Sequence, residues 1–183
     1  MGSERVIFGH TFEAMYLKAW PADDARVRAA YAAAGLDLSK PLLPAYPYAT
    51  WRACFREQGR LLLPNLDPAQ ARFRQGVRFM ESYFETPLGS ALLLILKAIG
   101  PRRTLERMTR NLRSANNFSD VTLTTLGPEL VELAVNDVLA DGPEYFVGFL
   151  QRGLELTGTK ARVTVKSMSG DSAVLITDWS KKS

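Results

Sequence analysis

At 183 residues, with a lone cysteine and 23 Lys and Arg against 19 Asp and Glu, the chain can bury a core without disulfides and carries a mild basic excess. That excess is too small for a dedicated nucleic-acid binder, so nucleic acid is not an expected partner. No signal-peptide pattern and no apolar stretch of about twenty residues occurs, so we expect a cytoplasmic protein without a membrane span.

The N-terminal two thirds of the sequence has the hydrophobic spacing of α-helices. Gly35 has the place that glycine favours after a helix. Asp67 followed by Pro68 is an N-cap with a first-turn proline, and Thr86 with Pro87 repeats that pattern. The predicted helices cover residues 12–20, 22–34, 48–62 and 68–85, and two more extend from residue 87 to residue 113 with a break at Gly100.

Two segments in this part have a distinct predicted setting. Residues 38–47 contain three prolines and are expected to form an irregular loop. The helix that begins at Pro87 is apolar nearly all round, which predicts that it lies at the centre of the fold.

After residue 117 the hydrophobic period changes from helical to two. Strands are predicted around residues 121–126, 131–135, 163–165 and 174–176, with a helix over 143–157 between the two pairs. The fold class is therefore α+β, with a helical N-terminal region over 1–117 and a small antiparallel sheet of strand-strand-helix-strand-strand order over 118–183. We expect one domain over 1–183.

Residues suited to catalysis or metal binding are scarce. His10 and Cys54 are the only histidine and cysteine, which are too few for a zinc site. A nucleophile pair of Cys54 with His10 stays open, but Cys54 lies beside Trp51 and Phe55 in a predicted helix, which favours a buried, inert thiol. We expect no catalytic residue, no metal site and no cofactor.

The segment 101–113 is the most unusual local feature. As a helix it places Leu105, Met108 and Leu112 on one face. Its arginines share the other face and must be solvated, paired with acidic residues, or matched to an anionic ligand, a lipid headgroup or an acidic protein. The predicted ligand-binding residues are these five arginines and two asparagines just beyond them: Arg102, Arg103, Arg107, Arg110, Arg113, Asn116 and Asn117.

An apolar pocket is the second candidate site. Aromatic residues and the apolar helix could line it, although ordinary core packing explains the same residues. The residues concerned are Phe12, Tyr16, Trp20, Tyr83 and Phe84.

Several segments together carry a family resemblance: Tyr46-Pro47 with Trp51, residues 85–89, residues 100–117, Asn136-Asp137-Val138 and Asp178-Trp179. In them the chain resembles a myxobacterial family of proteins of unknown function. That family is remotely similar to the ligand-binding superfamily of haem nitric-oxide-binding (H-NOX), four-vinyl-reductase and TRAPP domains, which implies a helical half joined to an antiparallel sheet.

The resemblance carries over no catalytic residue. H-NOX proteins hold haem with a mid-chain histidine and a Tyr-x-Ser-x-Arg motif, and this chain has neither. TRAPP domains are assembly scaffolds that can hold an acyl chain, so the resemblance leaves both a buried apolar ligand and a protein interface open.

The sequence as a whole favours binding over catalysis. We expect a non-enzymatic sensor or adaptor for a small apolar, lipid-like or anionic ligand. The alternative is a protein scaffold without a small ligand, TRAPP-like and either homodimeric or associated with a GTPase. An enzyme would have to rest on scattered carboxylates such as Glu81, Glu85 and Glu106.

Overall fold

A computed structural model of the chain describes residues 4–21, 23–85 and 87–180. Within them, helices dominate the N-terminal part and a four-stranded antiparallel sheet follows, which confirms the predicted α+β class and element order. The helices are α1 (Gly9–Phe12), continued by a π-helix (Glu13–Ala19), α2 (Ala25–Ala33), α3 (Tyr48–Leu62), α4 (Pro68–Glu85), α5 (Pro87–Asn111), with a short 3₁₀ segment (Leu112–Ser114), and α6 (Glu144–Leu156). The strands are β1 (Val6–Phe8), β2 (Ala45–Pro47), β3 (Val121–Gly127), β4 (Leu130–Val135), β5 (Arg162–Ser169) and β6 (Ser172–Asp178).

Helix ends largely follow the predicted signals. The Asp67 carboxylate accepts hydrogen bonds from the backbone N–H groups of Ala69 and Gln70 at 2.9 Å, so α4 begins where predicted. Gly35, after α2, has a φ of 96°, the left-handed conformation that glycine adopts most easily. Two predicted boundary residues, Ala22 and Thr86, lie outside the described residues.

A small strand pair replaces part of the predicted loop. β1 pairs antiparallel with β2, and Ile7 lies opposite Tyr46 with both side chains buried. The loop prediction for residues 38–47 is therefore wrong at its end. Strands of three residues are too short to show a period of two, and their pairing depends on residues far apart in the chain.

Helix α5 departs most from its predicted position. Gly100, with a φ of 79°, divides it into helices over 87–99 and 101–111, as expected. The prediction that the first of these lies at the centre is wrong, because Leu94 is 70% and Ile95 is 49% exposed while Leu96 is 2% exposed. One face of this helix is buried and the other is in contact with solvent.

The centre is taken instead by α4 and α6, which pack closely. A Cβ atom at Gly148 would lie 2.2 Å from the carbonyl oxygen of Phe73, and one at Gly76 would lie 2.1 Å from that of Tyr145. Only glycine permits so close an approach of two helix backbones. The close packing of α4 against α6 therefore depends on Gly148 and Gly76.

The sheet has the strand order β3-β4-β6-β5, with every neighbouring pair antiparallel. One face carries the buried side chains Val131, Leu133, Ala173 and Leu175, whereas Val165 on β5 is 42% exposed.

Within the described residues, no single helix has the length and apolar composition that crossing a bilayer requires. The helices Pro68–Glu85 and Gly89–Ser114 meet those requirements only when they are taken together, and the angle between them is 103°.

Candidate functional site

A cavity of about 610 Å³ lies among the helices, within the size range of small-molecule sites. α1, its π-helical continuation, α4, both parts of α5 and α6 all contribute to its wall. The inner wall is mainly apolar, and its side chains include Trp51, Phe79, Phe84, Leu92, Leu96 and Phe149.

The solvent-exposed residues of the wall are mostly polar. His10 comes from α1 and Lys18 from the π-helix. Arg107 and Asn111 come from the C-terminal end of α5, and Ser114 comes from the 3₁₀ segment after it. The two sides meet where the Thr11 hydroxyl donates to the Ala115 carbonyl at 3.2 Å. The cavity therefore combines an apolar interior with a polar mouth.

The predicted apolar pocket overlaps only in part with this cavity. Tyr83 and Phe84 line it, together with Leu92 and Leu96 of the apolar helix. Phe12 and Tyr16 are fully buried and pack with Trp51 at ring-centroid distances of 5.5 Å. These two aromatic residues therefore belong to the core and pack against Trp51, which lines the cavity.

Segment 101–113 buries one face as predicted, since Leu105, Met108 and Leu112 are buried. Three arginines of the other face are engaged. Arg102 donates to the Thr125 hydroxyl. Arg110 donates to the Glu106 carbonyl at 3.1 Å and Arg113 pairs with Asp120 at 3.0 Å.

Arg103 and Arg107 differ from these three. Both are exposed, and no ion-pair or hydrogen-bond partner contacts either of them among the described residues. Arg107 lies on the cavity wall, whereas the other arginines of this face do not. The structure thus brings one of the five predicted arginines to the cavity.

The two predicted asparagines hold the backbone together and do not line the cavity. The side-chain oxygen of Asn116 accepts from the N–H groups of Phe118 and Ser119 at 3.0 and 2.6 Å. Asn117 accepts from the N–H of Val6 at 2.9 Å and donates to the Glu4 carbonyl at 2.9 Å. Asn116 therefore stabilises the turn that leads from the helices to the sheet, and Asn117 ties that turn to the N-terminal segment that contains β1.

His10 and Cys54 are not brought together. His10 lies exposed at the cavity mouth, with its ring stacked on Phe8, whereas Cys54 is fully buried and does not line the cavity. Burial raises the pKa of the Cys54 thiol to about 12. The protonated thiol is a poor nucleophile, so the arrangement does not assemble the pair considered above.

A buried polar cluster beside the cavity was not predicted. Asp137 is 2% exposed, pairs with Arg5 and accepts from the Tyr48 hydroxyl at 2.7 Å. The Arg5 guanidinium lies 4.5 Å from the centroid of the Tyr48 ring. Burial, followed by the hydrogen bond that the Tyr48 hydroxyl donates to Asp137, raises the pKa of Tyr48. The cluster fixes the loop after β4, which supplies Leu139 to the cavity wall.

Solved H-NOX structures share this fold. The Fe(II) unliganded H-NOX protein from K. algicida has a TM-score of 0.68 at 9% identity, covering 96% of this chain and 98% of that one. The S. oneidensis H-NOX protein in its Fe(II)NO state has a TM-score of 0.65 at 9% identity, covering 94% and 97%. A variant from T. tengcongensis has a TM-score of 0.58 at 9% identity, covering 92% and 93%.

The cavity residues do not fit a haem held by a mid-chain histidine. The second part of α5, residues 101–111, presents Arg107, Met108 and Asn111 to the cavity. The sole histidine, His10, lies in α1 at the exposed mouth. Burial raises the pKa of Tyr145, another wall residue, which disfavours the phenolate form that binds haem iron.

Comparison of the sequence with protein families identifies the family of this chain. None of the curated proteins compared with this sequence matches it. Residues 5–180 match the family described as "Protein of unknown function (DUF2378)". The match extends over nearly the whole chain, and the chain therefore belongs to the DUF2378 family.

Proposed function

We propose that this protein is a non-enzymatic sensor or adaptor that binds a small, largely apolar ligand in the cavity among its helices. The observation that carries the proposal is the cavity of about 610 Å³, whose interior is apolar and whose mouth is polar. Ligand sites commonly combine an apolar lining with a few polar groups that orient the ligand.

The fold supports the proposal in a second way. The H-NOX protein from S. oneidensis has a similar fold and was solved in its Fe(II)NO ligation state, so a protein of this fold binds a small ligand. Among the described residues, the cavity wall of the present chain has no buried histidine, and burial disfavours the Tyr145 phenolate, so these residues do not favour haem as the ligand. An organic ligand that contacts the apolar wall directly accounts for the lining better.

Binding of the uncharged fluorophore Nile red tests the proposal. Leu92 lines the cavity and Leu94, two residues later on the same helix, is 70% exposed. We expect Leu92→Trp to fill part of the cavity and weaken Nile red binding at least about tenfold, the equivalent of about 1.4 kcal/mol. Leu94→Trp is the matched control and should bind like the unaltered protein.

Native mass spectrometry of the freshly purified protein gives an independent measurement. A bound small molecule, released on denaturation, is the expected result. If Nile red does not bind, or if both tryptophan variants weaken it equally, the proposed cavity function is wrong.

The exposed apolar face of the helix over 87–99 favours a second candidate, a scaffold that acts through protein contacts. Leu94 and Ile95 are large and exposed on this face, and exposed Lys97 and Arg103 lie near it in sequence. An apolar patch with basic neighbours is complementary to a protein with an acidic rim. The same face could instead join two copies of this chain in a homodimer, which size-exclusion chromatography with light scattering would detect.

A further inference from the structure

Arg107 is an uncompensated charge at the mouth of an apolar cavity. Within the described part of the chain it has no acidic or hydrogen-bonding partner. The arginines around it bond to Thr125, to the Glu106 carbonyl and to Asp120. A guanidinium left free at a cavity is available to an anionic group of the ligand.

The charge at the mouth amounts to a single cation. The Lys18 ammonium lies 2.9 Å from the Glu13 carboxylate, so these two lining residues neutralise each other. Arg107 is the remaining Lys, Arg, Asp or Glu side chain among the lining residues. One positive charge matches a ligand with one negative charge.

A second donor lies beside Arg107. Asn111 follows four residues later on the same helix, so the two side chains share one face, and both line the cavity. The Asn111 amide has no partner among the described side chains. A guanidinium and an amide one helical turn apart can contact the two oxygens of one carboxylate.

We propose that the ligand is an amphiphile with a single carboxylate, which pairs with Arg107 while its hydrocarbon chain occupies the apolar cavity. This inference rests on the proposed function and names the class of its ligand. Arg107 acts as the counter-ion, Asn111 donates a second hydrogen bond, and the wall formed by Leu92, Leu96, Phe79 and Phe149 contacts the chain.

Calorimetric titration with decanoate and decanol, below the concentrations at which they form micelles, tests the assignment. The two probes share a chain length and differ in charge. We expect Arg107→Gln to weaken decanoate binding by about ten- to a hundredfold, as for the loss of a charge-assisted hydrogen bond, and to change decanol binding by less than about twofold. Arg107→Lys should retain part of the decanoate affinity, because it keeps the charge.

Arg103→Gln is the matched control, since Arg103 is exposed, lies on the same helix and does not line the cavity. It should leave binding of both probes unchanged. Melting temperatures of all three variants should lie within a few degrees of the unaltered protein, because the substitutions are at the surface.

The outcomes separate this inference from the proposed function. If decanol binds and decanoate does not, or if Arg107→Gln weakens both equally, the carboxylate assignment is overturned and the cavity function stands. If neither probe binds the unaltered protein, the amphiphile assignment is overturned, and the Nile red measurement decides separately whether the cavity function stands. Decyl phosphate serves as a third probe. If it binds more tightly than decanoate, the carboxylate assignment is overturned in favour of a phosphate headgroup.

Discussion

The indole N–H of Trp51 donates to the backbone carbonyl of Leu139 at 2.7 Å, and both residues line the cavity. Leu139 has a φ of 58°, a left-handed conformation that costs free energy for a leucine. This hydrogen bond ties α3 to the loop after β4. The helical part and the part that carries the sheet therefore meet at the cavity wall.

Replacing Trp51 by Phe tests the energetic weight of this contact. The Leu139 carbonyl is in a residue only 4% exposed and would lose its donor. We expect a loss of about 1–3 kcal/mol in the free energy of unfolding, measured by urea denaturation. Trp20→Phe is the control, because the Trp20 indole nitrogen is buried without a partner among the described residues. Equal losses for both variants would show that ring size, and not the hydrogen bond, sets the cost.

The close contact of α4 and α6 predicts the effect of one methyl group. Gly148→Ala would place a Cβ 2.2 Å from the Phe73 carbonyl oxygen, so the helices must separate. We expect destabilisation of about 1–3 kcal/mol or more, seen as a lower midpoint of thermal unfolding. At Gly127 the nearest atom to a new Cβ is 3.8 Å away, so Gly127→Ala should change the midpoint little. An unchanged midpoint for Gly148→Ala would contradict the packing described.

The position of the helix over 87–99 can be tested with two neighbouring leucines. Leu94→Ala should change the free energy of unfolding by no more than about 0.5 kcal/mol, because Leu94 is 70% exposed. Leu96→Ala should cost about 2 kcal/mol, since Leu96 is buried and contacts the cavity. Chemical denaturation of both variants is the measurement. The reverse order would place the helix at the centre, as the sequence pattern had predicted.

Buried tyrosines predict a loss of stability in alkali. Burial raises the pKa of Tyr145, so above its ordinary value of 10.0 the folded chain holds a proton that the unfolded chain has released. The contribution of Tyr145 to the free energy of unfolding is fully present below pH 10.0 and is lost as the pH rises above that value. We expect Tyr145→Phe to show a shallower fall of unfolding free energy in alkaline urea titrations. A slope identical to that of the unaltered protein would contradict the assigned burial.

Local signals in the sequence were sufficient for most element boundaries. The helix over Tyr48–Leu62 and the start of α4 at Pro68 were predicted to the residue, because proline and an Asp cap act within one turn. The paired strands β1 and β2 were missed, since their contacts join distant parts of the chain. The apolar helix was misplaced, because composition does not tell whether a neighbour covers each face.

Only part of the candidate site could be predicted from the sequence. The arginine face was identified as a stripe, but its members have different partners, and only Arg107 meets the cavity. His10 was noted for its chemistry and not for its position at the mouth. Lys18, Asn111 and Phe149 were missed as lining residues, because nothing in their local pattern distinguishes a cavity wall from an ordinary core or surface.

By itself the sequence determined the α+β class, the helix and strand order and the scarcity of catalytic side chains, all of which depend on residues close together in the chain or on composition. Only the tertiary structure decided that a cavity exists, that α4 and α6 occupy the centre, and that Arg107 alone of its stripe faces the cavity. The physical reason is that a cavity is space left between packed elements. Its walls come from segments more than a hundred residues apart, and their side chains meet only after the chain has folded.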